Sequence, residues 1–311
     1  MSFWSYAGSV GTQVLILFIL MAVGFVATKV GLITEKGSAQ LVDLLLYIVT
    51  PAVIINAFLQ MEYTKERLTY IVIMAGCVLL VHLLGFAVAL PVFCRAPLQQ
   101  KSILRLSVVF SNCGFMSLPL ASALFGPEGV FLVSIYVVMH NVIVWTAGVA
   151  LFPGGRISVV KAILNPGTIG VAVGLPLFLL GVHLPEAVLQ PIGYIADLNT
   201  PVAMLAIGYF MAGTILRPQK GDDRVLLVSL LRLVAVPLLA LCLLRALPVP
   251  RLVFLACMLP ACAPTAANAV MFAEKFGGDT DCGARIISIS TLLSALSMPL
   301  LLSAAQMVSR G

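Results

Sequence analysis

Residues 110–120 read FSNCGFMSLPL and residues 259–270 read LPACAPTAANAV. Both are polar, helix-breaking interruptions set inside apolar runs. Gly114 and Pro119 weaken the first and Pro260 and Pro264 the second, because glycine loosens the backbone and proline removes an N–H and clashes with the preceding turn. The two stretches start about 150 residues apart, and each leads into a Phe-Gly pair, at 125–126 and 276–277. The same displacement separates Thr50-Pro51 from Thr200-Pro201. Such a recurring offset marks two related halves.

Composition says what kind of halves they are. Of 311 residues, 61% are hydrophobic and 10% charged, with a mean hydropathy of +1.12. That leaves too little polar surface to coat a soluble domain, and it also rules out disordered, collagen-like and disulfide-framework chains. The chain reads as an all-α polytopic membrane protein, since a hydrocarbon core about 30 Å thick takes about 20 apolar residues per helix. Apolar runs bounded by charges, Gly or Pro predict ten transmembrane spans, at 12–31, 38–60, 68–91, 102–125, 129–152, 166–181, 188–216, 224–247, 251–275 and 285–308. Residues 1–152 form a first five-helix repeat, 153–165 a linker and 166–311 a second repeat. Five is odd, so the second copy enters the membrane the other way up. Broken spans 4 and 9 then hold corresponding places in two inverted repeats, which is the sequence pointer to a transport site.

Lys and Arg set the orientation. Twelve fall in loops after odd-numbered spans and five on the opposite side, which puts the odd loops and the linker in the cytoplasm and both termini outside a plasma (inner) membrane. The net charge of +6 is scattered over short loops without a basic stripe, so no nucleic-acid partner is expected. The seven cysteines include no CxxC pair and read as small buried thiols, with no metal or cofactor implied. No basic region precedes the first apolar run and Lys29 follows it, so it reads as a real span rather than a cleaved leader.

The breaks predict the chemistry. Asn112 lies ten residues beyond Ser102, roughly 15 Å along a helix, and Pro264 lies ten residues before Glu274, so both sit near the bilayer midplane. Unwound backbone at that depth is tolerated only inside protein or along a cavity. A half-helix restarting there presents unpaired N–H groups and about half a positive charge. Two inverted copies aim two such ends at one point, which suits an anion and above all a small carboxylate. Asn112 adds an amide NH2 donor, and Asn268 offers a second. The plainer alternative is that Pro and Gly only kink two packed helices; breaks that are paired, central and polar argue against it.

The run 112–120, NCGFMSLPL, resembles the helix-4 signature of the auxin efflux carrier family, which includes the plant PIN-type transporters. PTAAN at 264–268, followed by FAEKFGGD at 272–279, resembles that family's helix-9 signature. The likeness covers essentially the whole chain. It implies a crossover fold similar to that of bile-acid symporters and sodium/proton antiporters. Spans 1, 2, 6 and 7 would form a scaffold that makes a homodimer, and spans 3–5 and 8–10 a moving transport domain. It further implies that Asn112 contacts the substrate carboxylate, that Pro264 is the crossover proline, and that Asn141 is the polar span-5 residue facing the site. The expected substrate-binding set is therefore Asn112, Cys113, Gly114, Asn141, Pro264, Thr265 and Asn268, with helix breaks at Pro51, Pro119, Pro201 and Pro264. Ser117 stands where the motif often has Gly, Ser111 stands where plant members have Pro, and Asn268 is more polar than its plant counterpart. These departures point away from an indole acid toward a smaller, more polar one.

Other polar residues within the spans have packing roles as alternatives. His82, near the middle of span 3, is a candidate carrier of a coupling proton or a hydrogen-bonded core residue. His140 adjoins Asn141, but neighbours on a helix point about 100° apart, and Asn141 is the one expected to face the site. Arg232 lies about 12 Å into span 8 from Arg224 and is expected to snorkel, the alternative being a counter-charge for substrate. Asp197 and Asn199 are expected to satisfy backbone groups freed by Pro201. Together these features predict a secondary active or facilitative transporter of small organic anions in the lipid bilayer. A sodium-coupled symporter is the runner-up, because Ser, Thr, Asn and carbonyl oxygens can ligate sodium. The span-5 stretch VVMHNVIVW at 137–145 lacks a carboxylate, which disfavours a cation/proton antiporter. Lack of HExxH, GxSxG and GxGD disfavours an intramembrane enzyme, and a channel would not require symmetric broken helices.

Overall fold

The structure, a computed structural model, describes residues 3–155, 160, 164–213, 222–266 and 269–309. Among them all regular structure is helical. In chain order the helices are α1 (Phe3–Lys29), α2 (Glu35–Leu59), α3 (Lys65–Val92), α4 (Leu98–Val109) and α5 (Cys113–Leu151). They continue as α6 (Pro166–Leu179), α7 (Glu186–Gly213), α8 (Asp223–Arg245), α9 (Arg251–Cys262), α10 (Ala269–Phe276) and α11 (Thr280–Val308). Among the described residues seven of these, α1, α2, α3, α5, α7, α8 and α11, are long and apolar enough to cross a membrane, while α6 and α9 are shorter apolar helices. Leu15, Ile19, Val23 and Val26 of α1 and Leu293 and Leu296 of α11 stand exposed, an exterior suited to hydrocarbon rather than water.

Local chemistry sets the ends. Thr64 caps α3 by accepting from Arg67 N (3.1 Å), and Asn165 caps α6 by accepting from Thr168 N (3.0 Å) just before Pro166. Asp279 caps α11 by accepting from Cys282 N (2.9 Å). The helix therefore begins five residues before the start expected from hydropathy at 285, because its first turn carries Asp281. The glycines of the two Phe-Gly pairs, Gly126 and Gly277, both take positive φ, 60° and 74°. Gly126 divides α5 into two arms, where the sequence places the boundary between spans 4 and 5. Pro51 widens α2 rather than ending it. The turn at Leu45–Val49 is π-helical, and Thr50 Oγ1 donates to Leu45 O (2.7 Å). In α7 the interruption falls at Leu198, before Pro201.

Two helix pairs join the halves. Gly24 of α1 meets the Leu205 backbone of α7, and Gly208 of α7 meets the α1 backbone at Met21 and Phe25. Gly170 and Gly174 of α6 lie against Ile54 and Phe58 of α2. Small residues let these axes approach closely, which is how apolar helices gain contact energy when lipid competes for their side chains.

Candidate functional site

Helix α4 ends at Val109 and α9 at Cys262, and both chains continue as extended segments that cross. Asn112 N donates to Pro264 O (2.8 Å) and Ala266 N donates to Phe110 O (3.0 Å), giving an isolated antiparallel bridge between Ser111 and Thr265. Each segment supplies the backbone partners that the other's broken helix cannot, and at this burial unpaired groups would be costly. Pro264 lacks an N–H and contributes its carbonyl. Thr265 Oγ1 donates to Ser107 O (3.0 Å), and Thr265 N donates to Ser290 Oγ of α11 (3.3 Å), fixing the crossing from both sides. Ser111 and Thr265 form the non-hydrogen-bonded kind of antiparallel pair, whose Cα atoms lie about 4.5 Å apart. That spacing suits a disulfide. In a cysteine-free background Ser111→Cys with Thr265→Cys is expected to cross-link on mild oxidation, seen as loss of thiol labelling. Retention of two reactive thiols would contradict the crossing.

Beyond the crossing each chain turns back into helix. Asn112 caps the first arm of α5, its Oδ1 accepting from Phe115 N (3.2 Å), and Ser117 Oγ donates to Asn112 O (3.5 Å). With Oδ1 engaged, Nδ2 is the donor end left for a ligand. Cys113 is buried and Gly114 half-buried, and a Cβ built on Gly114 would meet open space. The arm starts as a π-helical turn, Cys113–Ser117, before Pro119. On the other strand α10 restarts at Ala269, whose N donates to Ala266 O (3.1 Å). Asn268 lies outside the described residues.

Arg232 does not snorkel. It is 0% exposed, and its guanidinium donates to the last carbonyls of both broken helices. Nη1 reaches Val108 O (3.2 Å) and Val109 O (3.4 Å), Nε reaches Ala263 O (3.1 Å), and Nη2 reaches Pro260 O (3.3 Å) and Ala261 O. A buried charge is tolerated when every donor is satisfied in this way. The sequence carried one usable signal for this role: two helices ending inside the membrane leave orphan carbonyls that require a donor.

His82 and His140 form a pair. His82 Nδ1 lies 2.8 Å from Val78 O, so it carries the proton of that bond, and His82 Nε2 lies 3.2 Å from His140 Nδ1. Both rings pack on Phe110, with centroids 5.5 and 5.3 Å away, which puts the pair beside the crossing. Asn141 is turned elsewhere. Its Nδ2 donates to Asn165 Oδ1 (3.3 Å), tying α5 to the cap of α6.

A cavity of about 190 Å³ opens between α2, α5 and α7. Asn56, Gln60, Ser122, Asp197, Asn199 and Thr200 give it polar walls, and Pro119 brings it up to the restarted arm. Asn199 lines this cavity, and its buried Oδ1 accepts no hydrogen bond among the described residues, so that oxygen does not satisfy backbone near Pro201. Asn56 and Gln60 were missed from sequence, although two amides four apart on an apolar helix share one face. Among the described residues no three His, Cys, Asp or Glu side chains come together as a metal site.

A protein named as an uncharacterized transporter from Methanothermobacter thermautotrophicus is 26% identical over 302 residues, covering 95% of this chain and 98% of that one. Another, named as the uncharacterized transporter MJ1031 of Methanocaldococcus jannaschii, is 23% identical over 206 residues, which is 63% of this chain and 67% of its own. The family described as membrane transport protein matches over residues 9–158 and 155–302. With apolar helices enough for several crossings and a family match running almost end to end, the chain is a multi-pass membrane protein and belongs to the membrane transport protein family, that of the auxin efflux carriers.

Proposed function

We propose that the protein carries small organic anions, carboxylates in particular, across the membrane by alternating access around the crossing, as a secondary active or facilitative transporter. The observation that carries this reading is the reciprocal pairing of 110–112 with 264–266. In this reading the Asn112-capped start of α5 and the start of α10 both serve the crossing, since each follows directly on one of the paired segments. Each helix start carries about half a positive charge, and Asn112 supplies a neutral donor. The ligand-binding set is Asn112, Cys113, Gly114, Pro264, Thr265 and Asn268, with Asn141 at the α5/α6 boundary.

The architecture behind this function is a pair of inverted five-helix repeats, ten spans in all, with α4 and the first arm of α5 as one broken span and α9 with α10 as the other. The packing of α1 on α7 and of α2 on α6 fits a scaffold of spans 1, 2, 6 and 7, through which two copies dimerise. Spans 3–5 and 8–10 move past it in an elevator-like or rocking motion. The cavity lined by Asn56 and Asn199 lies along that boundary and has room for a small solute. The Lys and Arg bias gives a plasma (inner) membrane location with both termini outside.

The test is thermal unfolding of the purified protein against a panel of carboxylic acids, with the matching amides as controls. A small carboxylate is expected to raise the unfolding temperature saturably, since a ligand at 100 times its Kd adds about 2.7 kcal/mol. Equal response to acid and amide would reject an anion site. His82, paired with His140, is the proposed carrier of a coupling proton. His82→Gln is therefore expected to flatten the pH profile of uptake in proteoliposomes while transport continues, and an unchanged profile would remove His82 from coupling.

A further inference from the structure

We propose that Arg232 is the resident cation of the crossing, standing where a coupling sodium ion would otherwise bind, so that the site neither needs nor takes sodium. This rests on the anion-transport reading above and deepens it. Helices α4 and α9 each end inside the protein, leaving carbonyls without intrahelical partners and about half a negative charge apiece. The two carbonyl ends converge, since a single guanidinium reaches both of them. Converging backbone carbonyls shielded from water are the surroundings in which a dehydrated alkali cation binds.

The guanidinium fills that place. Two of its acceptors, Val108 O and Val109 O, belong to the end of α4, and three, Pro260 O, Ala261 O and Ala263 O, to the end of α9. One planar fork thus caps both helices, and because Arg keeps its charge at any working pH the compensation is permanent. An ion would leave with each cycle; a side chain on α8 does not. Ser107 Oγ, buried on α4 next to Val108, has no partner among the described residues. It would be a sodium ligand if the guanidinium were gone, and the guanidinium charge repels sodium while it is there. With the carbonyl ends neutralised, the helix starts at Cys113 and Ala269 together keep about one positive charge. A single monovalent anion balances that charge.

The test compares purified wild type, Arg232→Lys and Arg232→Gln in sodium chloride and in choline chloride at equal ionic strength, reading the unfolding midpoint as sodium replaces choline. Wild type and R232K are expected to be indifferent to the exchange, with R232K below wild type because Lys lacks the fork. R232Q is expected to unfold about 5 °C or more below wild type in choline and to recover part of that loss saturably with sodium. Saturable stabilisation of wild type or R232K by sodium would overturn the proposal. So would an R232Q protein as stable as wild type, or one whose loss sodium does not reverse, which would leave Arg232 a structural role only. Should R232Q fail to accumulate, the indifference of wild type and R232K still decides. None of these readouts involves a carboxylate, so failure of the anion site appears separately in the acid panel.

Discussion

Asn112→Ala is expected to abolish carboxylate uptake in proteoliposomes while leaving the protein folded and inserted. The backbone bond that Asn112 contributes to the crossing, N to Pro264 O, survives the substitution because it uses no side-chain atom. What disappears is the cap on Phe115 N and the free amide donor. Losing a cap costs about 1 kcal/mol, which a folded membrane protein tolerates. Losing a hydrogen bond to a carboxylate costs about 1.5–3 kcal/mol, or roughly 10- to 150-fold in affinity at about 1.4 kcal/mol per decade. Uptake at subsaturating substrate then falls to background, and the unfolding temperature separates this from misfolding. Uptake at the wild-type rate in Asn112→Ala would mean that the site lies elsewhere.

The largest loss of stability is expected at Gly208. A Cβ there would lie 2.2 Å from Met21 O, 2.7 Å from Phe25 N and 2.9 Å from Gly24 Cα. All three are atoms of the α1 backbone, so no side chain can swing aside. Gly208→Val must push α1 away from α7 and forfeit the contact along both, a penalty at or above the roughly 1–3 kcal/mol typical of overpacking. Little or no folded protein should be recovered by size-exclusion chromatography in detergent. Gly193 on α7 is the control, since a Cβ there meets nothing within 4 Å. Gly193→Ala should be neutral or gain about 0.4–1 kcal/mol. A Gly208→Val protein as stable as Gly193→Ala would disprove the close packing of α1 on α7.

The features legible in the sequence are those carried by local chemistry. Proline and glycine marked the breaks at 110–120 and 259–270, and the structure unwinds the chain at 110–112 and 263–266. The Phe-Gly pairs marked two positive-φ glycines because each restarted arm needs a sharp exit there. What stayed hidden depends on segments brought together from afar. The five acceptors of Arg232 come from the ends of two helices, 28 to 124 residues away, and no periodicity along span 8 reveals them. His82 and His140 are 58 residues apart, and helix geometry said only that His140 and Asn141 point apart, the family resemblance favouring Asn141. The polar wall of Asn56 and Gln60 was overlooked because two amides barely alter the hydropathy of α2.

The central claim is that two interrupted segments meet inside the bilayer and together seat one anion. An electron cryomicroscopy map of the protein in lipid nanodiscs, with the best-binding carboxylate of the panel at saturation, tests it most directly. We expect density for a single small anion within hydrogen-bonding reach of Asn112 Nδ2 and the first N–H groups of α5. An anion bound remote from Asn112, or α4 running unbroken into α5, would contradict the account.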